Sequence, residues 1–76
     1  MPDFRAHRLP FGGVALEPVT EAASDFLNEY EWEDSVFRHP DACMEGLPET
    51  AVGFEPFLIA EIVEELRERG LTSVAA

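Results

Sequence analysis

Two segments of this chain repeat apolar residues at the period of an α-helix, and nothing between them does. Val19, Ala22, Ala23, Phe26, Leu27 and Tyr30 fall at i, i+3, i+4, i+7, i+8 and i+11, one face of a 3.6-residue repeat. Leu58, Ile59, Ile62, Val63 and Leu66 do the same. The spacing predicts helices over 18–30 and 55–69. Pro18 suits the first turn of the first helix and Pro56 that of the second, because a missing N–H costs nothing there. Gly70 is the expected stop of the second helix. Arg67 and Arg69 in its last turn complement the helix dipole.

The remaining residues read as short extended pieces. Phe4, Ala6 and Arg8 alternate with their neighbours, Pro10-Phe11-Gly12-Gly13 supplies turn chemistry, and Val14-Ala15-Leu16 follows, which predicts a hairpin within 3–16. Residues 31–38 read as a strand or extended edge ended by Pro40-Asp41. A short helical turn from Ala42 to Leu47 closed by Gly46 comes next, and Ala51-Val52 is a further possible strand. Residues 71–76 read as a frayed tail. With 76 residues there is room for one domain and a thin core. The expected fold is α+β, two amphipathic helices packed on a small, mostly antiparallel sheet, with an all-helical bundle as the alternative.

Charge narrows function more than any motif does. Sixteen Asp and Glu oppose five Arg and no Lys, a formal net charge of -11, while 46% hydrophobic residues keep the chain out of the disordered class. Such a field repels DNA, RNA and anionic membrane. The acids are also grouped. Glu17, Glu21, Asp25, Glu29, Glu31, Glu33 and Asp34 succeed one another without a base, and so do the seven acids from Asp41 to Glu65. Glu17, Glu21, Asp25 and Glu29 recur every fourth residue, although like charges at i,i+4 cost a helix a few tenths of a kcal/mol per pair. Four helical residues rise ~6 Å, close to the spacing of alternate phosphates along one DNA strand. A carboxylate row on a helix therefore approximates a phosphate track. A merely solvated helix face would carry the same residues.

Catalytic signals are weak. His39, Asp41 and Cys43 would face one way in a strand, but Pro40 interrupts it and no fourth ligand is evident. No Lys serves a phosphate loop, and Cys43 has no obvious oxyanion partner. The chain is expected to be no enzyme and to need no metal or cofactor. The single cysteine, the absence of a basic region with an apolar run after Met1, and the lack of an apolar stretch of ~18 residues predict a cytoplasmic protein.

After the first helical segment comes Tyr30-Glu31-Trp32-Glu33-Asp34-Ser35-Val36, an acid-Ser-aliphatic element close behind a Trp-Glu pair. This resembles the phage and staphylococcal uracil-DNA glycosylase inhibitors, whose early helix leads into a strand with a Glu-Ser-Ile signature. The resemblance implies a small acidic α/β protein that copies the DNA backbone and holds an apolar pocket for the enzyme's DNA-intercalating side chain. It places Asp34 and Ser35 at the signature's Glu and Ser, with Val36 for its Ile. Asp34 is one methylene shorter than Glu, and the resemblance covers about seven residues and the preceding helix. The partner so implied is the basic DNA-binding groove of a glycosylase, met by a monomer in a one-to-one complex.

The residues expected at that interface are Glu21, Asp25, Glu29, Glu31, Glu33, Asp34, Ser35 and Val36. Met44 joins them as a pocket residue, since its thioether adapts to an incoming side chain. Val36, Phe37, Leu47, Phe54 and Phe57 offer further apolar lining or plain core. An inhibitor of another nucleic-acid enzyme, of the anti-CRISPR or anti-restriction kind, shares the same field. So does an antitoxin or immunity protein with a basic partner.

Overall fold

The computed structural model describes residues 1–29, 36–39 and 41–76. Strands β1 (Phe4–Arg8) and β2 (Val14–Pro18) form the expected hairpin, in a register that sets Phe4 against Pro18 and Arg8 against Val14. Leu9 N–H closes the turn onto the Gly13 carbonyl at 2.9 Å. Helix α1 (Glu21–Glu29) follows, then β3 (Val36–Phe37), β4 (Val52–Phe54), α2 (Ile59–Arg69) and β5 (Ser73–Ala75). The five strands lie in the order β3-β4-β2-β1-β5, every pair antiparallel except β1 with β5. This is an α+β fold, and the all-helical alternative falls. Among the described residues no helix is long and apolar enough to cross a membrane.

The pleat divides the core in two. On one face Phe4, Leu16, Val52 and Phe54 meet Phe26 and Leu27 of α1 and Leu58, Ile62 and Leu66 on the α2 side. Phe4 and Phe26 pack edge to face with ring centres 5.9 Å apart. On the other face Leu9, Ala15, Met44 and Ala51 form a smaller cluster with Phe37, Cys43 and Leu47, where the segment between β3 and β4 crosses the sheet. That crossing is so close that a Cβ on Gly53 would stand 2.9 Å from the Met44 sulfur. Only glycine leaves room for the loop to lie flat on β4.

Both helices obey their end signals, with one correction. Pro18 closes β2 opposite Phe4 and does not enter α1. Thr20 caps the helix, its hydroxyl accepting the Ala23 N–H at 3.2 Å while donating to Asp3 at 2.6 Å. Val19 and Ala22 are consequently exposed, leaving Ala23, Phe26 and Leu27 as the buried stripe. Pro56 opens a 3-10 turn, Pro56–Leu58, that runs into α2. Gly70 ends α2 at φ 69°, and the N–H groups of Gly70 and Leu71 return to the carbonyls of Arg67 and Leu66. These are the two bonds of a Schellman cap. Val63, expected in the stripe, is 49% exposed.

Residues 71–76 are not a tail. Ser73, Val74 and Ala75 pair with Phe4, Arg5 and Ala6, and Ala76 N–H donates to the Ala6 carbonyl at 2.9 Å. Parallel pairing to the first strand joins residues far apart in sequence, so no local pattern announces it. The expected strand over 31–38 is present as Val36–Phe37, and its positions 31–35 lie outside the described residues, as do Tyr30 and Pro40. The expected turn after Pro40 is a 3-10 turn, Ala42–Met44, followed by Gly46 at φ 85°.

Candidate functional site

The four-residue row of acids does not survive as one track. Glu17 lies in β2, on the sheet face away from the helices, where its carboxylate accepts from His7 Nε2 at 3.0 Å. Glu29 accepts from Arg69 at 2.9 Å, and the same guanidinium stands 5.0 Å from the centre of the Phe26 ring. Glu21 and Asp25 are exposed on α1, and among the described residues neither has a cation within ion-pair distance. The free part of the row is thus two carboxylates, bounded by one paired to a histidine and one paired to α2. Spacing along α1 could not reveal a cation arriving from another helix.

A shallow, largely apolar groove opens at the sheet edge formed by β3. Val36 and Phe37 of β3, Phe11 of the β1–β2 turn and Cys43 line it, together with the carboxylate residues Asp41 and Glu55. Register explains the placement. Val36 stands opposite Phe54 and Phe37 opposite Gly53, so β3 sits at the sheet edge beside the first hairpin's turn. Phe11 meets Phe37 edge to face at 5.8 Å, from a backbone held at φ 54°. Asp41 is fixed by a reciprocal clasp, its carboxylate accepting the Arg38 N–H at 3.1 Å and its own N–H donating to the Arg38 carbonyl at 2.8 Å.

Of the residues expected at the interface, the structure brings Val36 into this groove and leaves Glu21, Asp25 and Glu29 on α1. Glu31, Glu33, Asp34 and Ser35 lie outside the described residues. Met44 requires correction. It has no exposed surface and sits in the smaller core, so it is packing and not pocket lining. Phe54 is likewise core, Leu47 is half-buried, and Phe57 is 66% exposed. Phe11, the residue sequence reasoning missed, is 59% exposed. The available signal was a large aromatic in a Pro-Phe-Gly-Gly turn, where burial is not required.

The His39, Asp41 and Cys43 cluster has structural employment instead. His39 Nε2 donates to the Leu47 carbonyl at 2.8 Å, and Asp41 is taken by Arg38. Among the described residues no group of three His, Cys, Asp or Glu could hold a metal ion. Other concavities among the described residues include a polar one of about 230 Å³ bordered by Ser24, Asn28, Arg38, His39 and Glu49, and an apolar cleft of about 180 Å³ between α2 and the sheet. The carboxyl of Asp3 is held below the usual carboxylate range, first by the Thr20 hydroxyl and then by the Thr72 N–H. It serves the helix start, at the opposite end of the hairpin from the groove. Comparison with protein-family models, with curated proteins and with solved structures finds no match to this chain.

Proposed function

We propose that this protein is a DNA-mimicking inhibitor that binds and blocks a uracil-DNA glycosylase. The observation that carries the reading is the groove lined by Phe11, Val36 and Phe37 together with Asp41 and Glu55, in a chain of net charge -11. An enzyme that extrudes bases from DNA presents a basic groove and an apolar wedge. Carboxylates answer the first. Alone they give contacts that salt weakens over a screening length of ~8 Å. An apolar groove adds burial that salt does not screen, worth about 25 cal/mol per Å².

The choice of a glycosylase over other DNA enzymes rests on Asp34-Ser35-Val36, the element that resembles the glycosylase inhibitors and whose last residue lines the groove. No catalytic step is assigned to the protein. Titration against uracil release from labelled DNA tests the reading, with complete inhibition expected near one equivalent. Full enzyme activity at a large molar excess would overturn it and favour an inhibitor of a different nucleic-acid enzyme. A mobility shift of free duplex DNA by the protein at physiological salt would contradict mimicry altogether.

A further inference from the structure

Glu55 is half-buried in the lining of the groove, and its carboxylate has no cation and no hydrogen-bond donor among the described residues. It makes no capping bond to the 3-10 turn that it precedes. Asp41, the second carboxylate residue in the lining, is held to the Arg38 backbone. An aliphatic side chain filling the groove would strip water from Glu55 and return no partner, and that desolvation would offset the apolar burial. The occupant that fits is apolar along its length and cationic at its end. The molecule satisfies the same chemistry elsewhere. The Arg69 guanidinium stands 5.0 Å from the centre of the Phe26 ring and donates to Glu29 at 2.9 Å. The groove offers two of those three components, phenyl rings at Phe11 and Phe37 and a carboxylate at Glu55, and no cation among the described residues lines it. Phe11 is 59% exposed and meets Phe37 edge to face at 5.8 Å, so the aromatic component is in place before a partner arrives.

We propose that the groove receives an arginine side chain from the basic surface of the target enzyme. The methylenes of its stem supply the burial that salt does not screen, and its guanidinium supplies the partner that Glu55 lacks. Arginine is favoured over lysine because its planar, weakly hydrated head both stacks on aromatic rings and pairs with carboxylates. The proposal rests on the glycosylase-inhibitor reading and names the side chain that the groove takes.

Off-rates measured with the intact protein and a uracil-DNA glycosylase test it. Glu55→Gln, which keeps the shape and removes the charge, should raise the off-rate at least tenfold, and Glu55→Leu should raise it as much. Glu68→Gln, the same loss of one charge on the exposed surface of α2, should change it less than twofold. The arginines of the enzyme's DNA-binding groove, changed one at a time to alanine, should include one whose loss costs the wild type tenfold and Glu55→Gln little more. Thermal melts of both Glu55 variants should match the wild type, and the arginine scan uses the unaltered protein. If Glu55→Leu binds as tightly as the wild type or more tightly, the occupant is aliphatic, so the inhibitor reading stands and the arginine is overturned. If Glu55→Gln is weak but no arginine couples to it, the proposal fails in the same way. If the wild type does not bind at all, the inhibitor reading falls and takes the proposal with it.

Discussion

The Asp3 carboxylate accepts the backbone N–H of Thr72 at 3.0 Å, across 69 residues of sequence. Its other oxygen accepts the Thr20 hydroxyl at 2.6 Å, so one side chain ties β1 to the cap of α1 and to the start of β5. The Thr20 bond is the largest cause, and the Thr72 N–H the next, of a carboxyl held below its ordinary value. Because the folded pKa is the lower one, these bonds stabilise fully above the unfolded value of about 3.9. They are lost as pH falls through the folded pKa. Asp3→Asn should therefore melt below wild type at pH 7, and the two melting temperatures should converge as the pH drops below about 4. Calorimetry of both proteins between pH 7 and pH 2.5 measures it. A constant gap across that range would show that the charge on Asp3 contributes nothing.

Gly13→Ala should destabilise the protein through contact and not through dihedral strain. Gly13 has φ -73°, which alanine adopts freely, but the added methyl would meet the Phe54 carbonyl oxygen at 2.7 Å. That oxygen belongs to β4 and cannot rotate away. Overpacking of this kind costs about 1–3 kcal/mol, or roughly 4–8 °C of Tm per kcal/mol in a domain this small. A thermal melt within 1 °C of wild type would mean that the turn shifts without cost.

Arg69→Ala should separate fold from binding. The Glu29 pair is exposed on both sides, with side-chain exposures of 44% for Arg69 and 66% for Glu29, so it is worth roughly 0–1 kcal/mol. The cation over Phe26 adds about 0.5–1 kcal/mol. The expected loss in stability is near 1 kcal/mol by urea denaturation. The same change takes the net charge from -11 to -12, by removal of one cation, and frees Glu29. On the mimicry reading, stopped-flow association with the target should quicken at low salt, the opposite of what a merely damaged fold would give.

Local chemistry made part of this molecule legible. The Schellman cap at Gly70, the proline that starts the turn before α2, and the hairpin around Gly12-Gly13 each depend on residues adjacent in sequence. Pro18 misled because the same fixed φ that suits a helix start also suits the end of a strand, and pairing with Phe4 decides between them. β5 and the Glu29–Arg69 pair were illegible because both join distant segments. At the site, Met44, expected in a pocket, is core, and Phe11, read only as part of a turn, lines the groove. A loop pressed onto Gly53 leaves Met44 no exit, while a turn at the sheet's end asks for no burial of Phe11. Met44→Ala should accordingly cost about 2–5 kcal/mol of stability, and is unsuited to probing the interface.

The division of labour between charge and groove can be read from rates. Glu21→Lys with Asp25→Lys changes the net charge by four, from -11 to -7, at the two α1 carboxylates that have no cationic partner among the described residues. Long-range attraction governs encounter, so this variant should associate more slowly and with a flatter dependence on salt, while its off-rate changes little. Val36→Ala removes two methyl groups that line the groove and also pack on the larger core, a loss to binding of about 1.6 kcal/mol at full burial. That corresponds to roughly a tenfold faster off-rate, by the equivalence of ~1.4 kcal/mol to a factor of ten, with the salt dependence unchanged. Asp34→Ala with Ser35→Ala, at the acid-Ser pair before Val36, should affect both rates, because close charge pairs couple by ~1.5–7 kcal/mol at such interfaces. Surface plasmon resonance at 50 and 300 mM salt distinguishes the three patterns, once thermal melts show each variant folded. If Val36→Ala alters the on-rate and its salt slope as the lysine variant does, the groove is no anchor and attraction alone holds the complex. If the double change at residues 34 and 35 binds as tightly as wild type, the likeness to the glycosylase inhibitors is accidental, and the acidic face of α1 is left as the surface that selects the partner.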